Sequence, residues 1–218
     1  MIDGFITIQL LCASLIMLAI IWMHIVKKNT TLVTAYMVQS VGLIVLLSID
    51  VYMRHSLGLL FVTIAMLLIK VIIAPTLFRR LIHKSHQNLS ATTYINIPIT
   101  LIILLGTLAF AQSDIVAPLL PLLSSASPLR IILVGSILMS LFLIINRKGA
   151  LSQIIGVLSL ENTIFAFGIF MGVRELSALE LGLLFDVFFW IVVSSIFVSM
   201  IYRNFGSFDI SKLNQLRK

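Results

Sequence analysis

Three ionisable residues stand inside long apolar runs of this 218-residue chain: Lys70 in "LLIKVIIAP", Glu161 in "IIGVLSLENTIFAFGIF" and Asp186 in "LGLLFDVFF". A charge near the middle of a hydrocarbon-spanning helix costs roughly 2.5–3.5 kcal/mol on insertion scales, so those that persist typically mark proton or ion paths. Apolar burial raises the pKa of a carboxylic acid and lowers that of a lysine, which brings both toward proton exchange at neutral pH. The spacing also puts the three at a similar depth. Lys70 comes nine residues before Arg79, Glu161 twelve after Gly149, and Asp186 about eight into its own run. At about 1.5 Å per residue each lies roughly 12–20 Å along its helix. The chemistry this pattern predicts is a proton relay. The plainer alternative is a static interhelical ion pair or hydrogen bond that aids assembly. Asp50 stands nearer the end of its run, four residues before Arg54, a spacing that suits either a local interfacial pair or a further relay member.

Other side chains carry weaker signals. His24, His83 and His86 fall at the edges of apolar runs or in "RRLIHKSHQNLS". With no carboxylate or cysteine beside them, they read as a solvated interface rather than a metal site. Cys12 is the only cysteine, which excludes an intrachain disulfide and any four-cysteine metal or iron–sulfur site built from this chain alone. No cofactor is expected. Asn162 and Thr163 follow Glu161 directly and can hydrogen-bond to a neighbouring helix, while Gly156 and Gly168 permit close packing.

The elements that must position these groups follow from composition. Sixty per cent of the residues are hydrophobic, 11 % are charged, and the mean hydropathy is +1.16. A soluble chain this apolar could not cover its core, so an integral membrane protein is expected. The apolar stretches are continuous rather than alternating, which predicts an all-α protein and not a barrel. Seven spans can be drawn, at about 5–26, 32–53, 57–78, 94–112, 129–146, 150–173 and 178–202. The fourth is interrupted near its start by Pro98, and "APLLPLLSSASP" after it reads as an interfacial or extended connection. "MIDGF" has no basic n-region, so the first apolar segment is expected to stay as an anchor.

The net charge of +7 does not point to nucleic acid, because the basic residues sit singly or in pairs between spans. Lys27, Lys28, Arg79, Arg80, Lys84, Arg147, Lys148, Arg203, Lys212, Arg217 and Lys218 fall on one side, against Arg54, Arg130 and Arg174 on the other. The positive-inside rule then places the N-terminus outside and the C-terminus in the cytoplasm. Two regions are expected: 1–128 with four helices and the proline-rich loop, and 129–218 with three helices and a short tail.

From Arg147 onward, "RKGALSQIIGVLSLEN" resembles the second helix of the small K subunit of respiratory complex I, in which a basic turn leads to a central glutamate. Glu161 matches that glutamate. Asp186 falls where the next K-subunit helix carries a second buried acid, with Asp in place of the usual Glu. The tail "FGSFDISKLNQLRK" is also similar. The whole chain resembles component E of the hydrogenase-four and formate hydrogenlyase-type complexes, through "LSQIIG", the "LEN" triplet, "FDVFF", "FDISKLNQLRK" and the Lys70–Pro75 element of "LLIKVIIAP". The resemblance implies a bundle like the K subunit for the last three helices. It also implies a non-redox, multi-pass subunit of a hydrogenase-type complex in a prokaryotic inner membrane, with hydrogenase-like and antiporter-like subunits as partners. Glu161 and Asp186 would then be protonation sites, and Lys70 a charge partner or relay. The competing expectations are a subunit of a multi-subunit cation/proton antiporter and a purely structural membrane anchor.

Overall fold

The computed structural model describes residues 2–84, 91–116 and 127–170. Among them the regular elements are helical: α1 (Ile2–Ile25), α2 (Asn29–Arg54), α3 (Leu57–Met66), α4 (Ala74–Lys84), α5 (Ile97–Gln112), α6 (Ser127–Asn146) and α7 (Ala150–Phe170). A π-helical segment, Leu67–Ile73, joins α3 to α4 without a break, so the two are halves of one rod. Among the described residues four stretches are long and apolar enough to cross a bilayer: Thr7–Ile25, Asn29–Arg54, Leu57–Arg80 and Ala150–Phe170. Ile97–Gln112 and Ile131–Asn146 are apolar but shorter. This is a multi-pass helical membrane protein. The seventh predicted span, Asp186 within it, the cations Arg174, Arg203, Lys212, Arg217 and Lys218, His86, and most of the proline-rich connection lie outside the described residues.

Local sequence sets the helix ends. The end of α2 is marked by His55, whose backbone turns left-handed (φ 50°) and donates its N–H to the Val51 carbonyl. Ser56 then caps α3, its hydroxyl accepting from the Leu59 N–H at 3.3 Å. Pro98 lies in the first turn of α5, so that helix starts at Ile97, later than the predicted 94. Pro128 likewise occupies the first turn of α6, which starts at Ser127, two residues before the predicted 129.

Short turns make α1 and α2, and α6 and α7, adjacent antiparallel pairs. Helix α1 also packs on α6, α2 on α7, and α5 on α6. Lipid offers no hydrophobic drive between helices, so close approach and interhelical hydrogen bonds must hold them. Gly42 lets α2 approach α1: a Cβ there would sit 3.3 Å from Ile16 Cγ1. Gly156 does the same for α7, where a Cβ would meet Ile144 Cγ1 at 3.0 Å and the Ile144 backbone at 3.3 Å. Among the described residues a Cβ at Gly168 would meet nothing within 4 Å, and the close packing expected of the two glycines is seen there at Gly156. Backbone cannot yield as a flexible side chain does. Gly156→Ala should therefore destabilise the purified protein by about 1 kcal/mol, and Gly156→Leu by about 3 kcal/mol, read as a lowered unfolding midpoint in mild detergent. An unchanged midpoint for Gly156→Leu would show that α6 and α7 separate freely.

Candidate functional site

The π-helical segment begins the account of the site, because it carries Lys70. Pro75 has no N–H to give to the preceding turn, and its ring crowds the carbonyl of Val71, four residues back. The helix responds by widening, and the Ala74 N–H donates to the Ile69 carbonyl, five residues back. The Thr76 hydroxyl donates to the carbonyls of Ile72 and Ile73, supplying donors near the gap that proline leaves. Lys70 is the one buried residue of this segment, while Leu67, Leu68, Ile72 and Ile73 are exposed. Widened turns of this kind occur frequently at functional sites.

Lys70 reaches α7, where its Nζ donates to Glu161 Oε1 at 2.8 Å. The two side chains are 0 % and 3 % exposed, so the pair is withdrawn from both lipid and solvent. The ammonium also lies 5.6 Å from the ring centroid of Phe165, one turn beyond Glu161 on the same helix face. Of the three ionisable residues expected within the membrane, the structure therefore brings two into direct contact across 91 positions of sequence. Asp186, the third, lies outside the described residues.

Around this pair the faces of α7 are polar. Asn162 Nδ2 donates to Ser40 Oγ at 3.0 Å and to Gln39 Oε1 at 3.4 Å, and Gln39 Nε2 donates to the Ser159 carbonyl at 3.1 Å. On the α6 side, Ser140 Oγ lies 3.3 Å from Ser159 Oγ and 3.2 Å from Thr163 Oγ1. All six of these residues are buried. Successive residues of a helix are turned by about 100°, so Glu161 faces Lys70, Asn162 faces α2, and Ser159 with Thr163 faces α6. The hydrogen bonds expected of Asn162 and Thr163 are present. Gln39, ten residues into α2, was not singled out from sequence. A primary amide inside "AYMVQSVGLIVLL" was the available signal, since a polar side chain there requires an interhelical partner.

Arg147, just past the end of α6, is fully buried and is more than a topology signal. Its guanidinium donates to the carbonyls of Val26 (3.0 Å), Ala91 (2.6 Å) and Met23. Met23 and Val26 lie at the C-terminal end of α1, where carbonyls lack intrahelical donors and the helix dipole is negative. Burial pulls the guanidinium down from its ordinary value to about 10, which leaves it charged at neutral pH. Backbone bonds from Ala91 to Lys27, Tyr94 to Asn146 and Lys148 to Thr92 complete this knot. In the last turn of α1, His24 Nε2 lies 3.0 Å from the Met139 carbonyl, and its ring stacks on Phe142 at 5.2 Å. His24 is 1 % exposed. Its reading as part of a solvated interface is thereby corrected: α6 covers it.

Comparison with known proteins gives the chain relatives. It is 32 % identical to the uncharacterized protein Rv0085 of Mycobacterium tuberculosis over 164 residues, 73 % of each chain. The chain belongs to the family of that mycobacterial protein. It is also similar to hydrogenase-4 component E of Escherichia coli K12 and of Shigella flexneri, each 22 % identical over 206 residues, 94 % of this chain and 95 % of the relative. No family model matches, and no solved structure matches. The likeness to component E agrees with the family named from the sequence motifs, while nothing among the relatives bears on the K-subunit resemblance. Within this family member, Asp50 and Arg54 form a local pair on α2, Arg54 Nε donating to Asp50 Oδ1 at 2.8 Å. Their side chains are 15 % and 28 % exposed, unlike the enclosed Lys70 and Glu161.

Proposed function

We propose that this chain is a non-redox membrane subunit of a hydrogenase-type, complex I-related oxidoreductase in a bacterial inner membrane, and that Glu161 and Lys70 belong to a proton-translocation path. The observation that carries the reading is the 2.8 Å Lys70–Glu161 contact, enclosed midway along its helices. A buried ammonium and carboxylate in contact stabilise each other's charged forms, while the apolar surroundings oppose both. Small movements of one charge then change the proton affinity of the other. That is the property a relay step needs. The likeness to hydrogenase-4 component E over nearly the whole chain supports the assembly part of the reading. Hydrogenase-like and antiporter-like subunits are its proposed partners, and Asp186 is its proposed second protonation site. The N-terminus is assigned outside and the C-terminus to the cytoplasm, on the distribution of basic residues.

The test is Glu161→Gln in the assembled complex, with proton uptake measured alongside redox turnover. The amide keeps size and hydrogen bonding and removes the exchangeable proton, so translocation per turnover should fall at least about tenfold, within the range of a lost proton-transfer group. Glu161→Asp keeps the carboxylate and loses reach, and should be milder. A Glu161→Gln complex that assembles and pumps at the wild-type ratio would make the pair a structural clasp, and the anchor reading would stand instead.

A further inference from the structure

The rod Leu57–Lys84 ends in a second feature that the proton path does not use. Thr76, Arg79, Arg80 and His83 line one shallow, open concavity of about 490 Å³ on α4. Arg79, Arg80 and His83 are exposed, and among the described residues no carboxylate pairs with either arginine. Arg79 extends toward α2, where its Nη2 donates to Met37 Sδ at 3.4 Å, a weak acceptor that leaves most of the guanidinium unengaged. The Thr76 hydroxyl hydrogen is already committed to backbone carbonyls, so the arginines and the histidine supply the donors.

The same rod presents an apolar ridge that runs into this cluster. Ile72, Ile73 and Leu77 are 50 %, 47 % and 40 % exposed. Leu77 and Arg80, three residues apart, share one face of α4, and Ile72 and Ile73 close the widened segment directly before it. Apolar side chains leading to two arginines at the basic end of a span match the two parts of a phospholipid. Arginine suits the phosphate in particular, because its planar fork meets phosphate oxygens two at a time.

We propose that Arg79, Arg80 and His83 bind the phosphate of an anionic phospholipid whose acyl chain lies along Ile72, Ile73 and Leu77. The shared chemistry is a phosphate anion, and the lipid is favoured over a soluble phosphate because the exposed ridge is continuous with the cationic cluster. A basic residue at such a surface contributes about 1 kcal/mol of attraction to anionic lipid, a factor of about five.

The experiment uses the full chain carrying Leu77→Trp, with Trp22→Phe and Trp190→Phe to silence the native indoles, reconstituted in vesicles. Quenching by a brominated phosphatidylglycerol is compared with quenching by brominated phosphatidylcholine. The proposal expects the anionic lipid to occupy the site at least about fivefold more strongly. It expects that preference to vanish in Arg79→Gln/Arg80→Gln, while quenching by phosphatidylcholine stays unchanged and shows the rod still folded. Equal quenching by the two lipids would overturn it, as would a preference that survives loss of both arginines. Loss of the preference in millimolar inorganic phosphate at constant ionic strength would overturn the lipid assignment in favour of a soluble phosphate.

Discussion

Replacing Lys70 by Met should destabilise the purified protein by about 3–5 kcal/mol, the usual consequence of removing one partner from a buried ion pair. The carboxylate of Glu161 would keep its desolvation penalty and lose the ammonium 2.8 Å away. The double variant Lys70→Met with Glu161→Gln removes both charges, and should recover most of the loss, because replacing a whole buried pair by neutral groups is often close to neutral. Unfolding midpoints in mild detergent, titrated with a denaturing one, supply all four corners of the cycle. A double variant as unstable as Lys70→Met would show that the lysine acts through its packing against Phe165 and the helix, and not through Glu161. Proton coupling adds a second readout. Under the proposed function, Lys70→Met impairs translocation even under conditions where the complex still assembles.

Arg147→Ala should cost about 3 kcal/mol. Three buried carbonyls, those of Met23, Val26 and Ala91, would lose their donor together. An unsatisfied buried acceptor costs roughly 1–3 kcal/mol, and relief from burying the guanidinium offsets part of the sum. Arg147→Lys should recover less than half. An ammonium is a point donor on a flexible stem and cannot hold three carbonyls from three directions as a guanidinium does. Local hydrogen exchange offers the more specific check, since amides near residues 26, 91 and 147 should lose protection together. Exchange confined to the 147–149 turn would mean that α1 and the 91–96 segment are held by other contacts.

Why was Glu161 legible in the sequence and Arg147 not? Glu161 and Lys70 stood out because insertion energetics penalise charge at mid-span, and uniform helical rise let a residue count stand in for depth. Contact between them was a natural outcome of equal depth, although nothing in the spacing said which helix would face which. Arg147 stood in a position where a cation is unremarkable, since the positive-inside rule populates helix ends with arginine and lysine whether or not they are buried. Its role depends on where the end of α1 and residue 91 come to lie, which is tertiary information. Gln39 was readable and passed over: a single amide in a run of apolar residues carries a smaller penalty than a charge. His24 was misplaced for the same reason as Arg147, because nearness to a span end was equated with solvent. Among helix ends, the proline positions at 98 and 128 shifted boundaries by a turn or less, as the first-turn tolerance of proline allows.

The widened turn at Leu67–Ile73 has a consequence for aligning relatives of this chain. A π turn houses one residue more than the α turn it replaces, so it behaves as a one-residue insertion without a loop. A homologue lacking that residue could close the same stretch as regular helix, and everything on one side of it would be rotated by about 100° relative to the other. A gap-free alignment through this stretch would then match Lys70 to a position that points elsewhere, and a helical-wheel drawing continued past Ile73 would place Arg79 and Arg80 on the wrong face. Comparisons across distant members of the family should therefore treat residues 67–73 as a place where a single-residue gap inside a transmembrane helix is structurally permitted.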